Sequence, residues 1–235
     1  MLEKYKISSC AIGDTSYPMG MKNLTGMPSI LYFRGDITIV NNRKSVAVIG
    51  SRRTSSEGLR LSYYAGRKVA EAGMNLVNGL ALGCDAEALR GAIHAGGKCV
   101  AVMPCGLDQI QPRSNYRLAE EILETGGCLL SEYPIGTAVR EYHYVARDRL
   151  QSAISQGVWV IEAQEKSGTM HTVNFATKQY KRLACYYHTL VNNATGNKIL
   201  EAQGRACVLK SNSDIQRFLE DISKEETYEQ IKLDF

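Results

Sequence analysis

A short apolar run, a turn bearing glycine or serine, and then a helical stretch recur along most of this chain, and that recurrence limits the folds open to it. The runs are Val46–Ile49, Asn75–Asn78, Cys99–Met103, Cys128–Ser131, Val158–Glu162, Leu183–Tyr187 and Ala206–Leu209, and they start roughly 22–30 residues apart. That spacing is close to the ~30 residues of a strand–helix repeat. Apolar residues follow one another in these runs instead of alternating, as in VAVI and VWVIEA. Strands covered on both faces have that pattern. Between the runs, Leu59–Ala72 and Asp85–Ala95 are alanine-rich, and Tyr116–Glu124 carries apolar residues at helical spacing. The pattern predicts an α/β fold, a doubly wound and mostly parallel sheet over residues 43–222. Residues 1–42 are turn-rich (DTSYP, GMPS, RGD) and read as an extension packed on the sheet, with Ile30–Phe33 as an edge strand. Residues 223–235 read as an acidic tail that frays.

Composition narrows the class. Hydrophobic residues are 44% and charged residues 22% of 235, so a core can be buried and wholesale disorder is excluded. No apolar run nears the ~18 residues of a membrane span, and MLEKYKISSC lacks the apolar stretch of a signal peptide. Seven scattered cysteines form no CxxC pair, which suits a reducing, cytoplasmic setting. The four histidines lack metal-like spacing and there is no GxSxG elbow. The sequence thus predicts neither a cofactor nor an enzyme. Net charge is +4, but Asp214–Phe235 holds seven acids and three bases, leaving 25 bases against 17 acids before it. A body with that surplus permits an anionic partner.

In an open parallel sheet, ligands bind beyond the carboxyl ends of the strands, so chemistry is sought in the turns that follow them. The first turn, Gly50-Ser51-Arg52-Arg53-Thr54-Ser55-Ser56, opens a helix. Small residues admit an anion to the helix N-terminus, and two arginines can grip phosphate. It is not GxGxxG, and a serine-capped helix with two solvated arginines is the plainer alternative. The turn Glu165-Lys166-Ser167-Gly168-Thr169 offers a similar cradle, without the GxxxxGK[ST] pattern of a P-loop. Arg147 and Arg149 are expected near the start of another helix, with Tyr142 and Tyr144 just before them. Bases interleaved with aromatics suit stacked nucleobases and phosphates, though those aromatics could equally be core. Asp85 is read as the cap of the helix it opens.

These turns, in this order, resemble the DNA-processing protein A (DprA/Smf) family. The segments that carry the resemblance are TSYP with MPSILYFRGD, VAVIGSRRTS, NGLALGCDAEALRGAIHAGG, VMPCGLDQIQPRSNYRL, LLSEYP, YVARDRL, VIEAQEKSGTMHT and TGNKILEAQG. It implies an extended Rossmann-like fold, single-stranded DNA binding, loading of a RecA-type recombinase, and a homodimer. The apolar residues of VLKSNSDIQRFL hint at the same self-association. Ser51, Arg52, Arg147, Lys166, Ser167 and Gly168 take the DNA-contacting positions, with Gly50, Arg53, Arg149 and Thr169 beside them. The chain departs from the family at Leu82 (usually basic), Leu89 (usually His), Gln111 (usually Tyr) and Asp148 (usually Asn), and a divergent member without the winged helix of many members is expected. An acid at 148 would oppose a phosphate. Two other readings remain. One is a sensor of a nucleotide or phospho-ligand. The other is a nucleoside-monophosphate phosphoribohydrolase, whose PGGxGTxxE glutamate would fall at Thr172.

Overall fold

In the computed structural model, which describes residues 2–224, one nine-stranded sheet runs through the molecule. Its strands are β1 (Ser8–Ala11), β2 (Ile30–Gly35), β3 (Ser45–Ile49), β4 (Asn75–Asn78), β5 (Cys99–Val102), β6 (Cys128–Ser131), β7 (Gly157–Val160), β8 (Arg182–Tyr186) and β9 (Cys207–Leu209). The helices are α1 (Met19–Lys22), α2 (Ile39–Asn42), α3 (Ser56–Glu71), α4 (Cys84–His94), α5 (Tyr116–Glu124), α6 (Glu141–Ala153), α7 (Thr169–Lys178), α8 (Thr195–Ala202) and α9 (Asn212–Lys224). Spatial order is β1-β2-β6-β5-β4-β3-β7-β8-β9. From β6 to β9 every neighbour is parallel.

The apolar strands are covered on both faces, as their composition requires. Val46 and Val48 of β3 join one core with Leu61, Leu89 and Phe218, while Ala47 and Ile49 join the other with Leu150, Val173 and Leu200. Period-two alternation thus directs one strand's side chains into two cores. Trp159, fully buried, packs edge-on to Phe218. Among the described residues, no helix is long and apolar enough to cross a membrane.

Three expectations change. Ile30–Phe33 is not at an edge: β2 pairs antiparallel with β6 and is itself covered by antiparallel β1. Residues 2–42 therefore extend the sheet, through β1 and β2, as well as packing on it. Arg147 is the middle residue of α6 and Arg149 lies in its second half, neither near a helix start. The apolar residues of VLKSNSDIQRFL do not offer a free surface, because Ile215, Phe218 and Leu219 are buried in the chain's own core. Of the expected tail, Ser223 and Lys224 close α9, and residues 225–235 lie outside the described residues.

Candidate nucleic-acid interface

The order β5-β4-β3-β7-β8-β9 reverses its direction of growth between β3 and β7. The turns leaving those two neighbouring strands diverge there and leave a crevice, the place where open α/β sheets hold ligands. Here it is a cleft of about 580 Å³. Gly50, Ser51, Arg52 and Arg53 line it from the β3 turn, and Gln164, Ser167, Gly168 and Thr169 from the β7 turn. Tyr144, Arg147, Asp148 and Gln151 of α6 close the third side.

The β3 turn is held by its own backbone. Ser51 N donates to Glu162 O at 2.8 Å, and Cys84 N donates to Ser51 O at 3.1 Å. The second bond needs a close approach at Gly83, which has φ +71°; a Cβ there would overlap Ser51 O. Ser55 caps α3 by accepting from Gly58 N at 3.0 Å. Glu162, fully buried, accepts from Ser55 N at 3.1 Å. No side chain caps α7. The N-terminus of α7 therefore brings its partial positive charge to the cleft, while that of α3 is already met by Ser55 and the Glu162 carboxylate.

The cations divide into two groups. Arg52, Arg53 and Lys166 are exposed, and among the described residues no carboxylate lies within ion-pair distance of them. The Arg52 guanidinium lies 4.6 Å from the centroid of the Tyr144 ring, so it reaches across the cleft mouth. Lys166 stands in the β7 turn, just outside the lining. Arg147 is instead built into the floor at 4% exposure. Its Nη1 donates to Val102 O at 3.2 Å and its Nε lies 3.1 Å from Asp148 Oδ1. The guanidinium packs flat on Gly79, where any Cβ would overlap it. Arg149 does not reach the cleft. It forks onto Glu132 at 2.8 and 2.6 Å, and its Nε donates to Gly26 O at 3.0 Å.

Two buried acids complete the floor. Asp85 does not cap α4 from in front. It is the second residue of that helix, and its Oδ2 accepts from Gly79 N at 3.0 Å and Ala81 N at 3.3 Å, closing the β4 turn. Burial raises its pKa, against the pull of Arg147 and those two N–H groups. Asp148 accepts from Gln151 Nε2 at 2.9 Å. Burial pushes its pKa up to about 6, opposed first by Arg147 and assisted by Asp85. The acid that sequence reasoning sets against a phosphate is thus largely turned onto Arg147.

Several residues of the site carry no sequence signal of their own. Gln151 is 2% exposed and, among the described residues, its Oε1 has no partner. Asn115 Nδ2 donates to Leu80 O at 2.8 Å and Ala81 O at 3.2 Å, bracing a turn in which Leu80 takes a φ of +55°. Of the departures, Leu89 is fully buried in the core and Leu82 is 46% exposed. Thr172, at the hydrolase glutamate position, is buried at the cleft wall.

An α/β sheet with a cation-rimmed cleft at its switch point describes a class of ligand-binding proteins. Within it, residues 8–220 match the model of the DNA recombination-mediator protein A family. The chain belongs to that family. It is 29% identical to the DNA processing protein DprA of Bacillus subtilis, covering 89% of this chain and 70% of that one. To the protein Smf of Escherichia coli it is 35% identical, over 69% of this chain and 43% of that one. The chain thus spans less than half the length of some curated relatives. Among solved structures, DprA of Streptococcus pneumoniae superposes with a TM-score of 0.82 at 28% identity, covering 95% of this chain and 76% of that one. DprA of Helicobacter pylori, whose structure concerns a single-stranded DNA binding mode, gives 0.84 at 29%, covering 97% and 100%. Molybdenum cofactor carrier proteins align at 0.52–0.55 with 17–20% identity and share the fold alone.

Proposed function

We propose that this chain binds single-stranded DNA across the β3–β7 cleft. The observation that carries the reading is that two cation-bearing turns, each opening a helix, meet in one crevice with no carboxylate paired to Arg52, Arg53 or Lys166 among the described residues. Fixed N–H groups and mobile cations together suit a run of phosphates. Ser51, Arg52, Arg53, Lys166, Ser167 and Gly168 contact the backbone, and Gly50 and Thr169 let it approach. Arg147 holds the floor in shape, and Arg149 fastens α6 to Glu132. The single-strand binding of the Helicobacter pylori relative supports the reading. By the same resemblance, the chain acts as a homodimer that protects single strands and helps load a RecA-type recombinase in DNA processing, without chemistry of its own. The test is a salt titration of binding to single- and double-stranded oligonucleotides, with mononucleotides as competitors. A steep fall of single-strand affinity with salt is expected.

A second reading keeps the cleft as a pocket for one nucleotide or phospho-ligand. Its volume, about 580 Å³, and the unpartnered Gln151 Oε1 on its floor favour it. Salt-independent mononucleotide binding, with no single-strand binding, would select this reading. Release of free base from nucleoside monophosphates would select the hydrolase instead.

A further inference from the structure

Beside the cleft, on its β4–β6 side, the surface changes character. The first five residues of α6 place Glu141, Tyr144 and Val145 on the cleft wall. Tyr142 is three residues before Val145 and so shares its side of the helix. Tyr142 is 61% exposed and Val145 37%. The Tyr142 ring meets His143 edge-on at 4.5 Å, and His143 stacks on Tyr133 at 4.0 Å. That stack is fixed from below, because His143 is buried with Nδ1 3.0 Å from Pro104 O. Beyond it, in the loop after β6, Ile135 is 61% exposed. These exposed side chains are apolar or aromatic, Tyr142 is rigid at its root through the His143–Tyr133 stack, and Val145 belongs to the cleft lining itself. One residue before Glu141 stands the exposed Arg140.

We propose that this rim, formed by Tyr142, Val145 and Ile135, is a platform for the bases of the strand whose phosphates lie on the β3 and β7 turns. The inference rests on the single-strand reading given above. It adds a direction: backbone toward β3 and β7, bases toward β4–β6. Phosphates need cations and fixed N–H groups, which lie on one side of the crevice; bases need flat apolar surface, which lies on the other. An aromatic held edge-on against a buried, stacked ring, as Tyr142 is against His143, loses little freedom when a base settles on it. A rim of this kind tolerates any base, since every base has a π-face.

The test compares a single-stranded oligonucleotide with an abasic strand of the same length and charge. The parent protein should bind the base-bearing strand roughly tenfold or more tightly, the scale of stacking on one aromatic. A Tyr142→Ala/Ile135→Ala double variant, checked for parent-like melting and circular dichroism, should bring that ratio within about twofold, with the salt dependence unchanged. Tyr180→Ala, at a 94% exposed tyrosine after α7 on the far end of the sheet, is the control and should leave the ratio alone. A double variant that keeps the parent's ratio overturns the proposal. So does an equal loss on both strands, which would make the rim a support of the cleft, and so does loss of self-association with the ratio intact, which would make it a protein interface. If the parent binds both strands equally, the platform is wrong and the cationic cleft stands. If it binds neither, the single-strand reading itself falls.

Discussion

Two clefts of similar size lie at opposite ends of the sheet, and both carry cations. The one at the carboxyl ends of the strands is about 580 Å³ and the one at the amino ends about 560 Å³. Arg43, Lys44 and Lys181 line the second, together with Asn23, Asn42 and Gln156. By side-chain inventory it is the more cationic of the two, because Asp85, Glu141 and Asp148 stand among the residues of the first and, among the described residues, no acid lines the second. The difference is in the backbone. At the amino ends the helices arrive with their carbonyls: Arg43 is the C-cap of α2, and Lys181 Nζ donates to Ala153 O at the end of α6. Cations there answer the negative end of a helix. At the carboxyl ends α3 and α7 begin, the second without a side-chain cap, so Arg52, Arg53 and Lys166 add to a field already positive there. An anion site is set by the sign of side chain and backbone together.

The comparison breaks most directly by charge reversal. Arg52→Glu and Lys166→Glu should each weaken single-strand binding by roughly tenfold or more at moderate salt, whereas Arg43→Glu should change it by less than about twofold. Fluorescence anisotropy with a labelled oligonucleotide reads all three. Equal losses at Arg43 and Arg52 would remove the distinction between the ends. The neutral changes Arg52→Ala and Lys166→Ala sharpen it, each with a smaller loss and a salt slope flatter by about one unit. Next comes Arg149→Ala, which should leave affinity unchanged and lower the melting temperature. It strands the 13% exposed Glu132 carboxylate without its fork, at a cost of about 1–3 kcal/mol. A binding defect with an unchanged melting curve would put Arg149 in the interface after all.

Arg147 and Arg149 also mark where the sequence stops being legible. The strands from β3 to β9 could be read because each is a continuous apolar run, and two-sided burial leaves that trace in composition. The two signature turns could be read because a glycine or serine between strand and helix has few other uses. Nothing local separates two arginines two residues apart. What separates them is a helix rotation of about 200°, which sends Arg147 over Gly79 and Arg149 toward Glu132. Both partners come from other strands of the sheet's order. Asp85 misleads for a related reason: an acid opening a helix suggests a cap, and only the folded β4 turn shows that it closes Gly79 and Ala81. β1 hides, and β2 reads only as an edge strand, because a short, half-exposed antiparallel strand such as β1 lacks the long apolar run.

The smallest expected effect is the one tied to pH. Asp148 is held at the cleft floor with its pKa pushed up to about 6, mainly by burial, while Arg147 and, more weakly, His171 and Arg52 pull it down and Asp85 pushes it further up. A raised carboxyl pKa means that the fold favours the protonated form. Its contribution to stability is therefore full below the ordinary aspartate range and is lost as pH rises toward 6. Asp148→Asn keeps an acceptor for Gln151 Nε2, leaves Asp85 facing Arg147, and removes the titration. At pH 8 the variant should melt above the parent, and the two should converge near pH 4. Binding should follow the same curve. Above pH 6 the parent carries a negative charge beneath the strand, so the variant should bind a few-fold more tightly; below pH 6 the parent's own proton does the same work and the advantage should vanish. His171 faces the cleft in both proteins, so the ratio of the two affinities, not either one alone, isolates Asp148. A ratio flat from pH 5 to pH 8 would place this carboxylate outside the field that the bound strand feels.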